Sequence, residues 1–599
     1  MKSRAEGGII RKCQLLSFQR SDEPGQRRRF WVSSSLCGLV AFSLFSFAYS
    51  LFLHRVAFCN LTGRSPSFAS AHLTADTDRD MSSLATTDIS HIEFGISSSA
   101  ETWDRQRPYN ELWWRPGEMH GYVWLDEEPP ADSTWPHTCP PYRVSTLNSS
   151  GTGGSIFPPA ARIARTIVES YRAVMAEPGS REVRWFVIGD DGTVFFPDNL
   201  VAMLNKYNHE EMYYIGSISE SVEQTMQHSY SIAYGGAGFV VSRNIAAELA
   251  EIMDGCLERY ASLYGSDERV QSCISELGVT LTIEPGFHQV DLQDDIYGLL
   301  AAHPVAPLLS LNHLGHVKLI SPHWVTQVEA AKSLVDVSRH DPSRTLQQTI
   351  CYEKGPHTNW SVSVSWGHSV QVYPQEVAPK ELAKPLMTFR TWRTRNLGPF
   401  TFDTRSVDPN RPCELPLIFF LNHARPETGR NGKIVRTITE YSRNMTDNVT
   451  STCKLQSFTE ALKVQTVSVY AAKMDPAEWK RAPRRQCCRT RRMRKGKILQ
   501  VYNGWGQDLT FEFERKRNRP QSWYDCISTE KGTYGSSGAA PQVSPSGWYT
   551  TISICMKWSK GMTSSMMGSQ SPIKTRKTSQ FDLWRAATSS WKAATPVET

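Results

Sequence analysis

Residues 185–196 read WFVIGDDGTVFF, an apolar run that ends in two adjacent carboxylates and resumes at once. A continuous apolar segment of this length, bounded by turn residues, predicts a strand covered on both faces, as in a parallel sheet. Asp190 and Asp191 then stand at its carboxyl end, where open α/β sheets bind their ligands. Two carboxylates in that position suit a hard divalent cation, Mn2+ or Mg2+, holding a phosphate. The same dipeptide also suits a turn that only caps a neighbouring element, so the surrounding segments have to decide.

Those segments follow the strand–helix–strand grammar of a parallel sheet. Residues 91–96 (HIEFGI) read as a first strand, ending in the small polar loop Ser97-Ser98-Ser99. Residues 101–115 are helical in pattern, interrupted by Pro108 and stopped by Pro116-Gly117. A strand over 121–125, helices over 160–176 and 197–207, and a strand over 212–216 continue the series to about residue 315. Beyond about 330 the pattern changes. Residues 360–372 (WSVSVSWGHSVQV) alternate as a strand or hairpin with one wet face does, and 417–421 and 466–470 are further short β-type runs.

At 599 residues the chain exceeds one ordinary core. The expected organisation is an α/β domain over 89–330, a β-rich module over 331–485, and a basic, disordered tail over 486–599. The net charge of +7 is concentrated at the two ends, which fits tails and not a nucleic-acid-binding face. The N-terminus carries Lys2, Arg4, Arg11, Lys12, Arg20 and the run Arg27-Arg28-Arg29, followed by an uncharged stretch over 30–53. That stretch is long enough to cross a bilayer as a helix, and its basic flank leaves residues 1–29 cytosolic. A Ser/Thr/Ala-rich stem over 54–88 leads to the folded part.

The folded part is then luminal. Asn60, Asn148, Asn359, Asn444 and Asn448 each open an N-x-S/T sequon there. Cys139, Cys256, Cys273, Cys351, Cys413 and Cys453 lie on the same oxidising side, where disulfides persist. Cys256 and Cys273 bracket one compact motif and are the expected pair.

Four segments carry the chemistry. Beside the Asp190-Asp191 turn there is AYGGAGF (233–239), whose glycines imply tight turns or a backbone close to a ligand. YGSDE (264–268) sets Asp267 and Glu268 just before a helix-like run, and EPGFH (284–288) puts His288 after a Pro-Gly turn. Together with ELWWRPGEMHGYVWLD, AYGGAGFVVS, YGSDERVQSCISELG and EPGFHQVD, in this order, the chain resembles the fringe-like, β1,3-galactosyltransferase-like glycosyltransferases. The likeness is to a plant and fungal branch long catalogued as a domain of unknown function, and it spans roughly 88–480.

The resemblance implies a GT-A, Rossmann-like fold that binds a UDP-sugar, anchored in the Golgi membrane as a single-pass type II protein. It implies inverting transfer of a sugar to a hydroxyl of a glycan or glycoprotein acceptor. Asp190, Asp191 and His288 would hold Mn2+ or Mg2+ against the diphosphate, and Asp267 or Glu268 would act as general base. Gly235, Gly236, Gly238 and Phe239 would approach sugar or acceptor, and Ser97 the nucleotide. The chain departs from the branch at Gly192, where a third Asp is usual, and at Glu268, where an Asp is usual. The first departure leaves a second reading open: an inactive fringe-like fold acting as a glycan-binding or scaffold protein. The paired carboxylates also admit a metal-dependent nuclease or phosphatase, which leaves the anchor and stem unexplained.

Overall fold

The computed structural model describes residues 86–504, apart from 131–133, 147–157, 180, 409, 431, 444–452 and 478–485. The anchor segment 30–53, nearly all of the stem, the sequons at Asn60, Asn148, Asn444 and Asn448, and the chain beyond 504 lie outside the described residues. Among the described residues no helix is long and apolar enough to cross a membrane.

A mixed seven-stranded sheet forms the first part, in the order β3-β2-β1-β4-β7-β6-β8. Its strands are β1 (Ile92–Ser97), β2 (His120–Leu125), β3 (Tyr142–Val144), β4 (Trp185–Asp190), β6 (Tyr214–Gly216), β7 (Phe239–Ser242) and β8 (Leu281–Ile283). Strands β3, β2, β1 and β4 are mutually parallel, as the continuous apolar runs predict. Strand β7 runs antiparallel to both β4 and β6, because the glycine loop before it reverses the chain.

Both faces of the sheet are buried, each by its own set of helices. Ile92, Phe94, Ile96, Trp185 and Val187 meet Trp103, Leu112 and Trp113 of α1 (Ala100–Trp113) on one side. Phe186, Ile188, Phe239 and Val241 face α2 (Pro158–Ala176), α5 (Arg243–Arg259) and α6 (Ser266–Glu276) on the other. Two shorter helices, α3 (Pro197–Leu204) and α4 (Val222–Gln227), lie between. Helix α1 runs through Pro108 instead of breaking there, and Ser99 caps it by accepting from the Thr102 amide. The expected Cys256–Cys273 disulfide joins α5 to α6.

Three short strands brace the carboxyl edge of this sheet: β5 (Val194–Phe195), β11 (Ser310–Leu311) and β9 (Phe287–His288), in that order. Strand β10 (Leu292–Asp294) pairs with β15 (Phe389–Thr391), so the chain beyond residue 330 returns to the first part.

The β-rich part is an eight-stranded sheet, β12-β13-β14-β16-β17-β18-β20-β19. Its strands are β12 (Gln348–Gly355), β13 (Thr358–Ser365), β14 (Ser369–Tyr373), β16 (Leu417–Thr428), β17 (Ile434–Arg443), β18 (Thr466–Ala472), β19 (Cys487–Met493) and β20 (Ile498–Gly504). It extends past the expected boundary at 485, so residues 487–504 are sheet and not tail. The reason is visible in β20, where Leu499 and Val501 are fully buried while charge-rich β19 covers the edge. Nearby basic residues mask that alternation in the sequence.

The two outermost strands meet. Cys351 of β12 and Cys488 of β19 form a disulfide, Thr490 donates to Glu353, and Asn503 donates to Thr349 at 3.3 Å. Cys413–Cys453 is the third disulfide, and Cys139 is free and buried. Bridging 137 residues, Cys351–Cys488 restricts the unfolded chain strongly. Cys351→Ser with Cys488→Ser is expected to cost about 4–5 kcal/mol by loop-closure entropy. Thermal unfolding of the non-reduced proteins checks this, with a lower Tm for the double variant.

Candidate functional site

The chain leaves β1 towards β2 and β3 on one side, then returns to β4 on the other. The loops after β1 and β4 therefore part at their carboxyl ends, the place where open α/β sheets form a ligand crevice. Ser97 and Asp190 are in register across this gap. Ser97 itself is buried, and the contact across the gap is made by the next residue. Ser98 Oγ donates to Asp191 Oδ2 at 2.7 Å, and Thr102 Oγ1 of α1 donates to the same oxygen at 2.9 Å. Asn110 reaches the Asp191 carbonyl at 2.7 Å. Asp191 is thus turned under the start of α1. Burial, and then the neighbouring Asp190 charge, push its carboxyl up to about 6.

Asp190 shapes its own turn. Its Oδ1 accepts from the Gly192 amide at 3.0 Å, with Thr193 Oγ1 also 3.0 Å away. Its Oδ2 faces Asn312, whose Nδ2 lies 3.4 Å away. A Cβ at Gly192 would come within 2.9 Å of Asn312 Oδ1.

The glycine loop serves two purposes. A Cβ on Gly235 would lie 2.6 Å from Asp267 Oδ1, and one on Gly236 would lie 2.0 Å from Asn312 Nδ2. These two glycines let the backbone pass close beside the side chains of Asp267 and Asn312. Gly238 and Phe239 do not. Gly238 has φ +80°, and a Cβ there would strike the Phe195 ring at 2.5 Å, so it serves the turn and the core. Phe239 is fully buried against Tyr214, their ring centroids 5.6 Å apart, and is a core residue, not a substrate contact.

The acidic pair at the start of α6 divides its work. Glu268 Oε2 accepts from the Gly265 amide at 3.0 Å, closing a capping box, and Oε1 meets His228 Nδ1 at 2.8 Å. Both of its oxygens are committed to structure. Asp267 Oδ1 is buried without a well-formed partner. Burial pushes the Asp267 carboxyl up to about 7; the Gly235 amide opposes this, and the charges on Asp190 and Asp291 add to it.

His288 lies in β9, buried, with Nδ1 3.1 Å from Glu220 Oε1. Its Nε2 is buried and has no partner. Around it are residues that no motif announced. Asp291 Oδ2 accepts from Ser219 at 2.6 Å, and its Oδ1 lies 3.3 Å from His313 Nδ1. His313 stacks on Trp392, centroids 4.7 Å apart. Burial draws its pKa down, but Asp291, Asp190 and Glu220 more than offset this and raise it. Tyr234 Oη is also buried and unpartnered, its pKa raised by burial and then by Asp291 and Asp267. Asn312 binds the His288 carbonyl through its amide at 3.0 Å, so it stands between β4 and β9. Ser98, Thr102, Glu220, Asp291 and Asn312 are separated in sequence and recognisable only by contact.

Asp190, Asp191 and His288 were expected to share one cation. Asp191 is held by Ser98 and Thr102, position 192 has no side chain, and Asn312 lies where the third acid would point. Among the described residues no three or more His, Cys, Asp or Glu side chains are grouped to hold a metal ion. Of the expected glycosylation sites, Asn359 is described and exposed in β13.

Residues 224–488 match a family model described as a protein of unknown function, DUF604. Among solved structures the chain is similar to mannosyltransferase PcManGT from Pyrobaculum calidifontis in complex with GDP-Man and Mn2+. The identity is 11%, the match covers 45% of this chain and 78% of that one, and the TM-score is 0.22, too low to bear on the reading of the site. No curated protein matches the chain. Fold and site together define a mixed α/β protein with a cluster of acidic side chains at the switch point of its sheet.

Asp267 gives the pocket a pH signature. Its native carboxyl keeps a proton to about pH 7, whereas the unfolded chain releases it near the ordinary value of 3.8. Native binding of that proton stabilises the fold below this window, and the contribution is lost as pH rises through it. Asp267→Asn removes the loss, so its Tm relative to the parent should rise between about pH 4 and pH 7 and stay level above. An unchanged gap between the two Tm values across that range would contradict the assignment.

Proposed function

We propose that this protein is a glycosyltransferase that moves a sugar from a nucleotide diphosphate donor, a UDP-sugar, to a hydroxyl group of a glycan or glycoprotein. The observation that carries the reading is Asp267: a carboxyl raised to about 7, pressed against the Gly235 loop. The charge of Asp190, at the switch point, is among those that raise it. A general base works best with a pKa near the operating pH. In the reaction the acceptor oxygen attacks the anomeric carbon while its proton passes to Asp267. The bond to the diphosphate breaks, its electron pair leaves with the diphosphate, and the anomeric configuration inverts. Buried groups without partners, His288 Nε2 and Tyr234 Oη, are donors or acceptors available to a ligand.

The reading places the protein in the Golgi membrane, anchored through 30–53 with its folded part luminal. Three disulfides within the described residues support an oxidising compartment. A second reading, a glycan-binding protein without turnover, is favoured by Gly192, which stands beside Asn312 where a third acid is usual.

Turnover separates the two. The purified full-length protein should release UDP from a UDP-sugar in a donor screen, with the rate rising to a plateau through about pH 7. Asp267→Asn should lower kcat by about 10²–10⁴-fold. Glu268→Gln should act mainly on stability, because both oxygens of Glu268 are occupied by His228 and the Gly265 amide. Saturable binding of sugars without release of UDP from any donor leaves the glycan-binding reading alone.

A further inference from the structure

Position 192 and position 236 face one another across the side chain of Asn312. A Cβ built on Gly192 meets Asn312 Oδ1 at 2.9 Å and Asp190 Oδ1 at 3.5 Å; one built on Gly236 meets Asn312 Nδ2 at 2.0 Å. The carboxamide thus fills a slot that exists only because both neighbours lack side chains. It is held there by Asp190 Oδ2 on one side and, through its backbone amide, by the His288 carbonyl on the other.

The acidic groups around the slot are already engaged. Asp190 Oδ1 accepts from the Gly192 amide, and Asp191 Oδ2 from Ser98 and Thr102. Glu220 Oε1 faces His288, and Asp291 Oδ2 accepts from Ser219. A hard divalent cation at a phosphate site takes one or two protein carboxylates beside phosphate oxygens and water. At the slot Asp190 Oδ2 faces the Asn312 amide and Asp191 Oδ2 faces two hydroxyls, and a neutral carboxamide supplies no carboxylate. It does supply an N–H, which an anionic ligand can accept from.

We propose that this pocket takes the diphosphate of its ligand without a divalent cation, Asn312 occupying the cation's place and presenting its amide to the phosphate. This deepens the reading of the site as a sugar-nucleotide pocket and rests on it for the identity of the ligand. The residues at 192, 236 and 312 act as a unit: small, small and amide.

The test measures metal binding directly. Mn2+ is titrated into the full-length protein and free Mn2+ is followed by its paramagnetic resonance signal. The parent should show no saturable site below the millimolar range. Gly192→Asp with Asn312→Ala, which puts a carboxylate into the vacated slot, should bind Mn2+ at least about tenfold more tightly than the parent. Thermal unfolding in chelator confirms that the double variant is folded. Saturable Mn2+ binding by the parent that Asp190→Asn abolishes would overturn the proposal. So would failure of the folded double variant to gain binding, because the slot would then not be the cation's place.

UDP is the probe for the ligand, followed by its effect on Tm. Equal stabilisation in chelator and in Mn2+ supports the proposal, and stabilisation that requires Mn2+ overturns it. If UDP stabilises neither the parent nor the variant while the Mn2+ titration comes out as expected, the sugar-nucleotide reading fails and the slot assignment stands.

Discussion

Burial of negative charge at the carboxyl ends of β1 and β4 is the constraint around which the first part of the protein is arranged. A carboxylate taken out of water needs hydrogen-bond donors, or it takes up a proton. Here each solution is used at a different residue. Asp191 has the hydroxyls of Ser98 and Thr102, and Glu220 has His288. Asp267 has little beyond the Gly235 amide, and its carboxyl rises to about 7. Asp267, left shortest of donors, is raised further than Asp191, to about 7 against about 6, and this makes it the reactive member of the set.

The architecture keeps this arrangement in place from both sides. The sheet is sealed by two separate apolar layers, so the strands that end at Ser97 and Asp190 have little freedom to slide. Three short strands then carry Phe195, Ser310 and Phe287 across the carboxyl edge. The hydroxyl of Ser310 donates to Ala237, and Thr193 donates to the Gly236 carbonyl at 2.8 Å. These bonds fasten the glycine loop to the same edge as Asp190. Close packing of backbone against side chain, not a flexible loop, sets the geometry.

Much of this was legible in the sequence, and the parts that were not share a cause. Strands β1, β2, β4 and β6 and helix α2 show as unbroken apolar runs or helical spacing, and the Cys256–Cys273 pair brackets one motif. Gly235 and Asp267 stood out because close approach and paired acids leave marks in composition. Asn312 left none: its role depends on what is absent at 192 and 236, and spacing does not display an absence. Glu268 looked equivalent to Asp267 until its two partners, the Gly265 amide and His228, were seen. Strand β20 was hidden because its alternation is short and basic residues of β19 precede it. Phe239 and Gly238 were attributed to the ligand by their neighbours in sequence, while the fold gives them to the core.

The pairing of β10 with β15 has a wider consequence. The stretch after β15 lays Phe400 beside Ser221, donates from the Thr401 amide to the Glu220 carbonyl, and sets Thr394 on Glu223. A wall of the pocket is therefore borrowed from sequence that belongs to the β-rich half. Gene fusions, splice forms or engineered truncations that keep the first part alone would inherit its sheet without these contacts. Selection on the pocket must accordingly act on both halves at once, and they are expected to travel through evolution as one inseparable unit.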